Sequence, residues 1–224
     1  MPRPLIPNRR ESILDAAENL FIERGFEATT MQEVSERVGI AKGAIYREFV
    51  SKTQLVQEVL DRSADRLWND VAQRVEAADA RRLSEIYRLG MSALLAEPLM
   101  LAAYTNDRGT GVGAFVETGH AERYEERLRL LTAYLGELQR AGALRIDLDL
   151  DATATALASA SIGLSYAGAL LGQMSPARLL ATAGIIADMI ERGLETDVGS
   201  IAPEASTHLL KLLFANGPRG QGAH

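Results

Sequence analysis

The sequence predicts an all-α protein, with an N-terminal three-helix helix-turn-helix domain joined to a larger helical bundle. Three observations predict it. Apolar residues recur at helical spacing along most of the chain, no alternating pattern runs long enough for a strand, and Gly and Pro punctuate an Ala- and Leu-rich composition. At 224 residues the chain suits one large domain or two smaller ones with a sizeable core. The expected divisions are an arm and helix-turn-helix domain over 1–50, a larger helical domain over 51–215, and a disordered tail over 216–224. Hydrophobic residues at 47% and charged residues at 24% are ordinary for a globular protein.

The elements follow in order. Asn8 is placed to cap a first helix, with Glu11 three positions on and Ile13, Leu14, Ala17, Leu20 and Phe21 on one face; Gly25 ends it in a left-handed cap. Thr30 opens a second helix with Glu33 at the capping-box position, and Met31, Val34 and Val38 form its apolar stripe. Gly39 stops that helix after about two turns. A short segment from Ala41 to Phe49 follows, with Ile45 and Phe49 one turn apart and facing inward. Ser51 and Gln54 make a second capping box for a long helix running to about Ala78. Further helices are expected at about 81–95, 98–105, 119–141, 151–172, 175–194 and 203–215, separated by Pro98, the 106–113 loop, the Asp147–Asp151 linker, Pro176 and Pro203.

Two short helices joined by a tight glycine turn and buttressed on either side form a helix-turn-helix unit. The outward face of its second helix carries Lys42, Gly43, Ala44, Tyr46 and Arg47. Small residues there allow close backbone approach to DNA, and Tyr46 and Arg47 offer donors to phosphates or base edges. Ser51 and Lys52 open the next helix, where free N–H groups and the dipole favour a phosphate. A solvated helix face in an ordinary bundle is the other reading of the same residues.

Charge sharpens this only locally. The net charge is −6, yet residues 1–62 carry nine Lys or Arg against ten Asp or Glu. Arg3, Arg9 and Arg10 cluster at the N-terminus, and Lys42, Arg47 and Lys52 fall within eleven positions. Such a basic stripe on an acidic body can bind phosphate while the body discourages nonspecific contact.

The run Gly25-Phe26-Glu27-Ala28-Thr29-Thr30-Met31-Gln32-Glu33-Val34, then Val38 to Phe49, then Ser51-Lys52, resembles the DNA-binding domain of the tetracycline-repressor (TetR) family over about residues 9–60. The resemblance implies an all-α homodimer that reads a palindromic operator in double-stranded DNA, with a divergent C-terminal domain that binds a small-molecule inducer. It implies that Thr30 caps the first motif helix and touches phosphate. Ala41, Lys42, Gly43, Ala44, Tyr46 and Arg47 then belong to the recognition segment, and Lys52 is a phosphate-binding lysine. Two departures stand out. Ala41 replaces a frequent Ser, so the recognition helix lacks a side-chain cap, a difference of about 0.5–2 kcal/mol. Glu48 stands where His is common, and is expected to point away from phosphate or to pair with Arg47.

Residues 152–177 contain no charge. They are mostly Ala, Ser, Thr and Gly, which gain little on insertion, so close helix packing explains them better than a membrane span. In the resembled family the corresponding helices form a four-helix dimer interface, which would draw on Ala156, Ala160, Leu164, Gly168, Gly172, Leu179, Ala183, Ile186 and Ile190; a buried intrachain core is the alternative. Dimerisation also follows from reach. One short recognition helix reads few base pairs, whereas a two-fold pair about 34–36 Å apart is selective. A pocket for a mid-sized, largely hydrophobic compound would be lined by Trp68, Tyr87, Met91, Leu95, Met100, Tyr104, Phe115, Tyr124, Leu128, Leu131 and Tyr166, each of which could equally be plain core. The loop 106–113 reads as a lid or a connector.

No catalytic constellation emerges, so an enzyme is not expected. Gly163-Leu164-Ser165-Tyr166-Ala167 lacks the context and final glycine of a nucleophile elbow. Gly109-Thr110-Gly111-Val112-Gly113 has no following Lys-Ser/Thr for a phosphate loop. Asp147, Asp149 and Asp151 begin like a calcium loop, but Ala152 replaces its glycine, so Asp151 is expected to cap a helix. His120, His208 and His224 are scattered, and the absence of Cys excludes disulfides and thiolate metal sites. No cofactor is expected. The start, Met1 to Pro7, is no secretory signal, and a cytoplasmic location is expected. The function these readings favour is a ligand-released repressor. The alternatives are a regulator without an inducer, and an all-α small-molecule binder with a vestigial helix-turn-helix.

Overall fold

The computed structural model of the protein describes residues 8–99, 120–171 and 175–197, without the side chains of 120–124, 126, 127 and 165–171. Eight helices lie in these segments: α1 (Arg9–Arg24), α2 (Met31–Val38), α3 (Lys42–Glu48), α4 (Lys52–Ala77), α5 (Leu83–Ala96), α6 (His120–Arg140), α7 (Leu150–Leu171) and α8 (Pro176–Leu194). The expected all-α class is what is observed, with helix ends within about two residues of the sequence reading. Among the described residues extended pairing is confined to one antiparallel bridge, Leu144 to Glu195. The expected helix at 203–215, the loop 106–113 and the tail 216–224 lie outside the described residues, as does most of the expected helix at 98–105.

The first three helices close around a small core. Ile13, Ala17, Leu20 and Phe21 of α1, Val34 of α2, and Ile45 and Phe49 at the end of α3 are almost completely buried. Phe21 meets Phe26 edge-on at 5.9 Å between centroids. The turn after α1 is tied by buried Thr29, whose hydroxyl is shared between the carbonyls of Gly25 at 2.9 Å and Leu20 at 3.3 Å. Gly39 ends α2 at φ 76°, ψ 27°, the left-handed conformation that glycine adopts without Cβ strain.

α4, at 26 residues about 39 Å long, packs on α1 near one end and on α5 further along. Its buried stripe runs from Leu55, Val56 and Val59 through Leu67 and Val71 to Val75. Polar bridges follow the same joint. Arg62 reaches Glu11, Asp15 and Glu18 on α1, while Arg66 binds Glu18 and, at 3.0 Å, Glu97 just after α5. In the body α8 lies along α5, and α6 along α7. The Glu195 side chain, only 2% exposed, accepts from Arg82 Nε at 3.0 Å, the Ser84 N–H at 2.8 Å and the Ser84 hydroxyl at 3.0 Å. A carboxylate from beyond α8 thereby caps the positive end of α5, 111 residues earlier in the chain.

Four capping expectations are corrected. Asn8 adopts φ 54° and its side chain makes no capping bond, so α1 starts without the expected cap. Gly25 has the expected positive φ of 82°, but ψ is 163°, so it does not take the left-handed helical cap conformation. Ser51 accepts from Gln54 N–H at 3.1 Å, yet Gln54 reaches past Ser51 to the Val50 N–H at 2.8 Å, so the second box is not reciprocal. Asp149, and not Asp151, caps α7, accepting from the N–H groups of Asp151 at 3.1 Å and Ala152 at 3.0 Å. The helix begins at Leu150, which places Asp151 inside its first turn.

Candidate nucleic-acid interface

The approach to the recognition helix is built by reciprocal bonds. Thr30 Oγ1 accepts from the Glu33 N–H at 3.2 Å, and Glu33 accepts from the Thr30 N–H at 2.8 Å and hydroxyl at 2.9 Å. These bonds, the backbone one foremost, hold the Glu33 carboxyl below the usual carboxylate range, with Arg24 at 2.9 Å contributing less. Thr30 is thus a cap whose hydroxyl is already engaged.

α3 is fixed from below by Ile45 and Phe49, both fully buried. That anchoring turns Lys42, Gly43, Tyr46 and Arg47 outward together, since positions i, i+1, i+4 and i+5 share one helix strip. Tyr46 is 45% exposed. Lys42, Tyr46 and Arg47 make no side-chain hydrogen bond or ion pair among the described residues. Ala44 is half-buried beside them. Ala41 takes the extended N-cap conformation and, as expected, offers no side-chain cap.

Gly43 is informative because nothing among the described residues requires it. A Cβ built there meets no atom within 4 Å, and its φ is not positive. Glycine inside a helix costs about 0.5–1 kcal/mol relative to alanine. Gly43→Ala is therefore expected to raise the melting temperature by a few degrees while weakening duplex binding, because the added methyl occupies space that only an approaching partner would use. Thermal melts and duplex titrations of the same preparation check this; undiminished binding would show that the glycine serves no close approach.

Lys52 opens α4 half-buried, its Nζ 4.3 Å from the Phe26 ring centroid and 3.2 Å from the Glu27 carbonyl it donates to. Burial lowers its pKa more than the attraction of Glu27 and Glu33 raises it. Because Glu33 also bonds Thr30, the structure brings Thr30 and Lys52 to one edge of the domain.

Glu48 does not pair with Arg47. Arg9 Nε donates to Glu48 Oε1 at 2.9 Å, and Arg10 Nη1 donates to the Glu48 carbonyl at 2.7 Å. Arg10 also bonds Glu58 and stacks at 4.4 Å over Phe49. Two of the cations read as a free basic stripe are thus engaged within the domain. Spacing in sequence could not reveal this, since the pairs span 38 to 48 residues.

The other expected sites are divided. Met91 is buried, and Trp68, Tyr87, Leu95, Leu128 and Leu131 pack half-buried against the core. The Tyr87 hydroxyl is buried without a well-formed hydrogen bond, and burial pushes it up, although a nearby Ser161 hydroxyl works the other way. Met100, Tyr104 and Phe115, with the side chains of Tyr124 and Tyr166, lie outside the described residues. Of the expected interface, Leu164, Leu179, Ala183 and Ile190 are buried within the protomer and Ile186 is half-buried. Ala156 is exposed and Ala160 half-buried; Gly168 lies within α7, and Gly172 lies outside the described residues. What α8 leaves open is another strip, Ile185 at 61% and Met189 at 67% exposure. No described helix is long and apolar enough to cross a membrane.

Comparison with known proteins agrees with this architecture. Residues 13–59 match the model of the bacterial regulatory proteins of the tetR family. The HTH-type transcriptional repressor KstR2 of Mycolicibacterium smegmatis is 29% identical over 147 residues, 63% of this chain and 70% of that protein. The HTH-type transcriptional activator FasR of the same organism is 36% identical over 74 residues, 33% of this chain and 34% of its own. SmeT, the repressor of a Stenotrophomonas maltophilia multidrug efflux pump, superposes in its triclosan complex with a TM-score of 0.58 at 19% identity, over 88% of this chain and 96% of SmeT. The helix-turn-helix, whose recognition strip is exposed and makes no side-chain bond among the described residues, is thus the part of the chain that matches the tetR family of bacterial regulatory proteins, over residues 13–59, and the fold is shared with SmeT along most of the chain.

Proposed function

We propose that the protein is a cytoplasmic homodimeric repressor that holds a palindromic operator and lets go when a largely hydrophobic small molecule enters its helical body. The observation that carries the DNA-binding part is the outward strip Lys42, Gly43, Tyr46 and Arg47, held by a buried Ile45–Phe49 underside and unpaired among the described residues. Lys42 and Arg47 supply phosphate or base-edge donors, Gly43 admits the backbone, and Lys52 and Thr30 flank them. The dimer reading rests on α7 and α8, where Ile185 and Met189 present apolar area to water that a two-fold partner would cover. Release follows if ligand binding tilts α4, because that helix joins α1 to α5 and changes the separation of the two recognition helices. The ligand must then favour the non-binding form by a few kcal/mol. The repressor KstR2 and the triclosan-bound SmeT support this direction.

Selection of bound sequences from a random duplex pool at near-physiological salt tests the reading. A two-fold palindrome is expected, with half-sites about one helical turn apart. A single unpaired half-site would remove the dimer, and no enrichment would favour a small-molecule binder whose helix-turn-helix is vestigial. An operator affinity that no compound in a hydrophobic panel alters would leave a regulator without an inducer.

A further inference from the structure

We propose that Glu48 sets how much of the DNA affinity comes from the phosphate backbone, by holding Arg9 in an ion pair whose place a phosphate would otherwise take. The inference rests on the DNA face assigned above to α3. Glu48 is the last residue of that helix, next to exposed Arg47. An anion there opposes the helix dipole, so the carboxylate is not present for the helix's own stability.

The two arginines that meet Glu48 are held differently. Arg10 has anchors that do not need the carboxylate: the Glu48 carbonyl at 2.7 Å, Glu58, and the Phe49 ring at 4.4 Å. Its closest approach to the Glu48 carboxylate is 3.9 Å. It therefore ties α1, α3 and α4 together whatever charge Glu48 bears. Arg9 has no other side-chain partner among the described residues; both its Nε and Nη2 donate to Glu48 Oε1. The pair is 30% and 21% exposed, within reach of solvent. Partly exposed pairs of this kind contribute little net stability, and a phosphate offers a guanidinium an equivalent charge-assisted partner. Glu48 therefore both occupies Arg9 and adds a negative charge beside the recognition strip. Binding is left to depend more on the contacts of Lys42, Tyr46 and Arg47.

The test uses full-length wild type, Glu48→Gln, Arg9→Ala and the double variant, titrated with a short mixed-sequence duplex over a range of salt. One added phosphate contact steepens the log–log salt slope by about 0.9, which at about 0.15 M salt corresponds to roughly fivefold in affinity. Glu48→Gln is expected to show that gain and that slope, Arg9→Ala to bind no more tightly than wild type because it leaves the Glu48 charge uncompensated, and the double variant to lose the gain. A wild-type slope in Glu48→Gln overturns the proposal. So does a gain that survives Arg9→Ala, which would mean simple relief of repulsion. Weaker binding by Glu48→Gln at an unchanged melting temperature also overturns it, making the residue an orienting pin for α3. If wild type itself binds duplex without salt dependence, the DNA face is misplaced, and the inference falls with it.

Discussion

Replacing Phe49 by alanine is expected to destabilise the protein by about 3–5 kcal/mol and to abolish duplex binding. Phe49 is fully buried where α3 ends, its N–H bonded to the Ile45 carbonyl at 2.9 Å. Its ring packs inward while its face carries the Arg10 guanidinium. Truncation would open a cavity under the recognition helix and remove the surface on which Arg10 rests, loosening α1, α3 and α4 at their common point. Phe49→Leu keeps most of the volume and loses the ring, so about 1–2 kcal/mol is expected from repacking and the lost cation–π contact. Denaturant unfolding of both variants measures the difference. A cost below about 1 kcal/mol for the alanine variant would mean that the helix-turn-helix is not held from this side.

Lys52→Glu is expected to weaken binding to every duplex by on the order of thirtyfold at about 0.15 M salt, with the salt slope reduced by about two, since two units of charge change beside the backbone. Stability is expected to fall modestly, because the hydrogen bond to the Glu27 carbonyl and the contact with the Phe26 ring are lost. An acidic residue in the first turn of α4 gains from the dipole, and proximity to Glu27 and Glu33 opposes that gain. A large loss of binding with a small change in melting temperature therefore separates a DNA-contacting role from a folding role. Tyr46→Ala provides the contrast, with altered preference among sequences and an unchanged slope. If Lys52→Glu kept the wild-type slope, α4 would not begin at the phosphate backbone, and the docking of the whole domain would need revision.

The helix-turn-helix was legible because its determinants are local. Thr30 and Glu33 cap one another three residues apart, Gly39 supplies a left-handed turn, and Ile45 and Phe49 bury one face one turn apart. Once that underside is known, the exposed strip follows from helix geometry alone. Caps proved less legible where two candidates sat close together. Asp149 and Asp151 both suit an N-cap by type, and the choice depended on where the backbone turned into α7. The two apolar faces of α8 were not distinguishable for a different reason. Its apolar residues cover two strips, and periodicity shows that both are apolar without showing which one meets α5. Packing buries Leu179, Ala183 and Ile190 and leaves Ile185 and Met189 outside.

By itself, then, the sequence determined the helical class, the order of the elements, the helix-turn-helix and the residues of its outward strip, because hydrophobic period and capping chemistry act within a few residues of one another. Only the tertiary structure decided which charges remain free. Arg9 and Arg10 find Glu48 and Glu58 across 38 to 48 residues, and Glu195 caps α5 across 111. Coulombic and hydrogen-bond partners are chosen by distance in space, and the burial of hydrophobic faces sets that distance before any charge is paired.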